Sequence, residues 1–102
     1  MARVVAYVPD LMDRSRLGGV EGLVFVSTPG ELPAAATGAE VVVVDLARAG
    51  VLEALAGLGG VRTIGFASHV DRDLLAAAEA AGCREVLPRS RFFARVAELT
   101  AP

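Results

Sequence analysis

Short β-branched apolar runs alternate along this chain with segments whose apolar residues return every three or four positions. Arg3–Val8 (RVVAYV) is such a run and stops at Pro9-Asp10, which predicts a buried first strand. Asp10 then suits the N-cap of a short helix that Gly18-Gly19 ends. Leu23–Val26 predicts the second strand. Thr28-Pro29-Gly30-Glu31 follows as a capping box with proline in the first helical position, and Gly38 closes that helix. Val41–Val44 with Asp45 predicts the third and most buried strand. Val51, Leu52, Leu55 and Leu58 then recur at helical spacing before Gly59-Gly60. Val61–Phe66 is the fourth strand. Ser68-His69-Val70-Asp71 opens a helix whose expected apolar face is Val70, Leu74, Ala77, Ala78 and Ala81, with Gly82 as its stop. Val86-Leu87 is a short fifth strand, and Phe92, Phe93, Val96 and Leu99 give the last helix an inner stripe.

The βα unit thus occurs five times, which predicts a parallel sheet covered on both faces, a three-layer αβα domain. Right-handed crossovers and five strands favour the doubly wound order 2-1-3-4-5. At 102 residues the expectation is a single domain over 1–102. Apolar residues make up 54% and the mean hydropathy is +0.54. Much of that is Ala and Val, and no apolar run approaches the roughly 20 residues of a membrane span, so two-sided strand burial explains it. No basic-then-apolar leader opens the chain, and the expected location is cytoplasmic. The net charge is −2 without a basic run, which argues against nucleic acid as a partner. All ten basic residues are Arg, so Schiff-base and P-loop lysine chemistry are excluded. Cys83 is the only cysteine and can form neither an intramolecular disulfide nor a cysteine metal cluster.

Open α/β sheets place function at the C-terminal strand ends. Those ends deliver Asp10, then Ser27 and Thr28, then Asp45, then Ser68 and His69, and finally Pro88, Arg89 and Ser90. Strands one and three are neighbours in this order, so Asp10 and Asp45 are expected to face each other across the crevice, with Arg89 beside Asp45.

The whole chain resembles a response-regulator receiver domain, the flavodoxin-like fold of two-component signalling. Asp10 matches one member of the receiver's acidic pair, Asp45 in VVVVDLA the phospho-accepting aspartate, and Ser68 the switch hydroxyl. LPRS falls where the receiver has Lys-Pro, and AAEAAGCREVLPRSRFFARVAEL is similar to its last strand and helix. PDLMDRSRL and VLPRSRF are also similar to stretches of short bacterial receiver-like proteins. The resemblance implies Mg²⁺ on Asp10 and Asp45, with Asp45, Ser68 and Arg89 handling a phosphoryl group. Two departures stand out. Pro9 occupies the place of the second acid, and Arg89 replaces the lysine, a planar fork in place of a compact ammonium. Asp13, one turn on from Asp10, is expected to fall short of the site.

Simpler roles compete at each position. Asp10, Ser68 and Ser90 suit helix N-caps. His69 suits a polar rim residue, and Arg14 and Arg16 a solvated helix face. Cys83 suits a small buried apolar position. No GxSxG, GxGxxG after the first strand, P-loop or HExxH is present, so an enzyme is not expected beyond phosphoryl acceptance. Three functions follow. One is a pseudo-receiver that docks another protein (a kinase, an output protein or a second copy of itself) without phosphorylation, on the surface around its last two helices. Another is a working Asp45 phospho-acceptor with Mg²⁺. The last is a small-anion binding domain using Arg16, Arg89, Ser68, His69 and Ser90 at the rim.

Overall fold

The structure, a computed structural model, describes residues 3–102. Its strands are β1 (Val4–Tyr7), β2 (Leu23–Phe25), β3 (Val41–Asp45), β4 (Arg62–Ala67) and β5 (Glu85–Pro88). The helices are α1 (Leu11–Arg16), α2 (Leu32–Ala36), α3 (Val51–Leu55), α4 (Arg72–Ala80), α5 (Arg89–Ala94) and α6 (Val96–Leu99). A 3-10 turn, Pro29–Glu31, leads into α2. All strand pairs are parallel and the order is β2-β1-β3-β4-β5, the doubly wound flavodoxin-like arrangement. The central strands are apolar throughout because both faces of the sheet are covered.

Side-chain alternation along each strand sorts the core into two layers. Val5, Val42 and Val44 face α2, α3 and α4, where Leu32, Leu46, Val51, Leu55 and Ala78 meet them. Val4, Ala6, Val41, Val43, Ile64 and Phe66 face the opposite side, against Leu17, Phe92, Phe93 and Leu99. Phe66 stacks on Phe92 with ring centroids 4.9 Å apart and an interplanar angle of 13°, and Phe93 presents an edge to both. This aromatic triple ties β4 to α5, and it forms the floor beneath the rim.

Two glycines are needed where they stand. A Cβ on Gly65 of β4 would meet Leu46 Cδ2 at 2.6 Å, closer than packed carbons approach. Leu46 lies over this bare backbone and donates its N–H to Phe66 O at 3.0 Å, which fixes the end of β3 and therefore the backbone of Asp45. Gly82, at φ +100°, ends α4: its N–H bonds to Glu79 O at 3.1 Å and the Cys83 N–H to Ala78 O at 3.0 Å, a Schellman closure.

The structure departs from the sequence expectations at several points in the helices, and Ala77, expected on the inner face of α4, is exposed. The last helix is two, interrupted at Arg95 (φ −126°, ψ 22°), although no glycine or proline marks the break. Ser68 does not cap α4. It starts a turn in which the Asp71 N–H bonds to Ser68 O, and the helix begins four residues later. Val70 falls in that turn and is therefore exposed, not part of the inner face. Ser90 lies within the first turn of α5 and does not cap it.

At the opposite pole, Arg62 grips Glu85 with two bonds (Nε–Oε2 2.6 Å, Nη2–Oε1 2.9 Å) and donates from Nη1 to Leu99 O at 2.8 Å. Arg3 donates to Thr100 O at 2.6 Å and to Glu21 O. Guanidiniums from the starts of β1 and β4 thus satisfy the free carbonyls at the end of α6. No helix is long and apolar enough to cross a membrane among the described residues.

Candidate functional site

The rim is assembled by the loops that leave β1, β3, β4 and β5. After β1, Pro9 turns the chain and Asp10 takes an extended backbone (φ −68°, ψ 127°). Its Oδ1 accepts from the N–H groups of Met12 (2.9 Å) and Asp13 (3.0 Å), so Asp10 is the N-cap of α1 as its sequence position suggested. These backbone bonds, the one from Asp13 foremost, hold its carboxyl below the ordinary aspartate value. Some desolvation opposes them, and the positive fields of Arg48 and Arg89 add to them.

Asp13 lies four residues before the buried Leu17, on the same face of α1, and is only 3% exposed. Its carboxylate pairs with Arg89 Nη2 at the start of α5. Arg89 also places its guanidinium 5.4 Å from the ring centroids of both Phe66 and Phe93. This corrects the expected geometry, in which Arg89 sits beside Asp45: its ion-pair partner is Asp13. The physical reason is the layer arrangement. The residues around α1 and α5 share one face of the sheet, so a carboxylate pointing inward from α1 meets a guanidinium at the start of α5.

Asp45 ends β3 and is served by its own loop. Oδ1 accepts from the Ala47 N–H at 3.1 Å, and Oδ2 pairs with Arg48 Nε at 3.3 Å. The first bond closes an Asx turn. The second puts a half-exposed arginine three residues on across the carboxylate.

The remaining candidates come together elsewhere on the rim. Arg16, Ser68, His69, Arg89 and Ser90 line one cavity of about 340 Å³ with Phe93 in its wall. Arg16 is not simply solvated, because its guanidinium lies 4.2 Å from the centroid of Phe93. Nor is Arg14, which donates from Nε to Val8 O at 2.7 Å and sits over Phe25. Ser68 Oγ accepts a long bond, 3.4 Å, from the Val70 N–H. Cys83 is buried, as expected, and burial pushes its thiol up to about 11.

Sequence reasoning missed Asp13 and Arg48. A signal for Asp13 existed in the four-residue spacing to Leu17, which puts both on one helix face. Arg48 at three residues from Asp45 is an ordinary loop partner, visible only once the loop conformation is known.

Mg²⁺ asks for several oxygen donors converging on one point in near-octahedral order. Here Asp10 is committed to two backbone donors, Asp13 to Arg89 and Asp45 to Ala47 and Arg48. Among the described residues no three His, Cys, Asp or Glu side chains stand close enough to share a metal ion. The donor set as arranged does not fit the ion.

No family model matches the chain, and no curated protein matches it. Among solved structures it is similar to a crystal structure from Burkholderia thailandensis named provisionally as a pilus assembly protein (cpaE). The TM-score is 0.68 at 15% sequence identity, over 99% of this chain and 98% of that one. At that identity the likeness is one of fold: the same five-stranded parallel architecture over nearly the full length of both chains.

Proposed function

We infer that the chain is a pseudo-receiver, a protein-interaction module that keeps the doubly wound fold and does not depend on phosphorylation of Asp45. The observation that carries this reading is the closure of the acceptor position. Asp45 is 6% exposed and held on both oxygens, while Arg89, which stands in the place of the receiver's lysine, is engaged by Asp13. Phosphoryl transfer depends on positioning and on charge stabilisation around the acceptor. Neither a cation poised on Asp45 from α5 nor a carboxylate-rich metal site supports it here.

An interaction role is supported by where the exposed apolar side chains fall. Leu11 (77% exposed) and Met12 (79%) lie just after β1, and Val70 just after β4, so the three share the rim. A partner protein would cover this surface, which is where exposed apolar residues gain most from burial.

The test is an intact mass after incubation with acetyl phosphate and Mg²⁺, with Asp45→Ala as control. The wild type is expected to gain no phosphoryl group even in excess donor. A phosphoryl-sized gain on the wild type that is lost in Asp45→Ala would overturn the reading and make Asp45 a working acceptor.

A further inference from the structure

The rim cavity holds an unusual imbalance of charge. Its walls carry two guanidiniums, two hydroxyls and an imidazole, and no carboxylate. Arg89 is neutralised by Asp13, but Arg16 forms no ion pair among the described residues. Contact with the Phe93 ring holds the Arg16 guanidinium in place by attraction to the ring face, and this leaves its N–H groups unused. Arg89 spends one nitrogen on Asp13 and keeps other N–H groups for a second acceptor. Ser68 accepts from a backbone N–H and retains its own proton to donate, and the exposed Ser90 hydroxyl stands on the first turn of α5.

We propose that this cavity reversibly binds a small phosphate-bearing molecule, its phosphoryl group held by Arg16 and Arg89 and its remainder in the rest of the cavity. Donors reach the cavity from three separate elements: α1, the β4–α4 loop and α5. A tetrahedral group with three terminal oxygens presents acceptors toward donors on three sides, whereas a carboxylate presents its acceptor sites in one plane. At about 340 Å³ the space lies at the small end of ligand pockets, and it exceeds what a bare ion fills. Arg16 supplies the net charge. Arg89 shares the anion without leaving Asp13, because a buried carboxylate stripped of its partner is strongly disfavoured. Asp45 takes no part, so the proposal stands or falls apart from the interaction role.

Proton–nitrogen correlation spectra of the full chain test this, with inorganic phosphate, glycerol phosphate and acetate titrated against sodium chloride at matched ionic strength. Saturable shifts at the amides of Ser68, His69 and Ser90 are expected with both phosphates. Arg16→Ala should weaken them by about tenfold or more, in line with loss of one charge-assisted contact. Arg91→Ala, at an exposed arginine outside the cavity, should change nothing. Tighter binding of glycerol phosphate points to an organic phosphate as occupant, and equal binding to free phosphate. If Arg16→Ala fails to give a folded spectrum, Ser90→Ala takes its place and should weaken binding in the same direction. Absence of saturation, shifts reproduced by chloride, acetate binding as tightly as phosphate, or a cavity variant that binds like the wild type would each overturn the proposal.

Discussion

Replacing Arg89 by alanine removes the partner of a carboxylate that the fold keeps away from water. Asp13 is 3% exposed, and in the variant it must stay charged without a partner, take up a proton, or drag α1 outward. Breaking a fully buried pair from one side costs about 3–5 kcal/mol. The Arg89 side chain is 40% exposed, so water already weakens the interaction, and we expect about 2 kcal/mol, with lost contact to Phe66 and Phe93 included. For a domain of this size that corresponds to a fall in Tm of about 8–16 °C. Urea unfolding of the wild type, Arg89→Ala, Asp13→Ala and the double variant gives the coupling directly. Once Arg89 is gone, removing Asp13 should cost nothing further or restore stability, so the coupling should reach about 1–2 kcal/mol. Additivity within about 0.3–0.5 kcal/mol would refute the reasoning, since it would mean that the two side chains do not depend on each other.

Two other outcomes follow from the same structure. Gly65→Ala places a methyl group against Leu46 and should cost about 1–3 kcal/mol by urea unfolding, whereas Gly60→Ala, with open space around it, should be close to neutral. A loss at Gly65 no larger than at Gly60 would mean that Leu46 moves aside freely. For Asp10 the folded carboxyl titrates below its ordinary value of 3.8, so its contribution is complete above that pH and is lost as the pH falls through the folded value. The stability difference between the wild type and Asp10→Asn should therefore be flat from neutral pH down to about 4 and shrink below it. A difference that stays flat into stronger acid would show that the charge of Asp10 plays no part in the cap.

What could be read from the residue pattern and what could not divide along the range of the interactions involved. The strands and their order follow from local signals, because a run such as VVVVD can only be satisfied in the middle of a covered parallel sheet. The Asp10 cap reaches two and three residues along the chain and was equally visible. The Asp13–Arg89 pair spans 76 residues and depends on the rotational phase of a six-residue helix, which a short segment barely defines. Arg16 was expected in solvent because its own helix offers no partner, and its ring contact is supplied by Phe93 from the other end of the sequence. Val70 carried an apolar signal at helical spacing, yet the turn begun by Ser68 delayed the helix past it.

The arginine latches at the far pole settle how this molecule can be handled. Arg3 and Arg62 bind the carbonyls of Thr100 and Leu99, so the start of β1 and the last turn of the chain meet at one end, with the sheet's full length between them and the rim. A tether attached after Pro102 therefore leaves from the pole opposite Leu11 and Met12, beside the surface that Arg16 shares with Thr100 and Pro102. Protein immobilised that way keeps the exposed apolar residues Leu11 and Met12 turned toward solution, while the Arg16 side of the cavity lies nearer the tether.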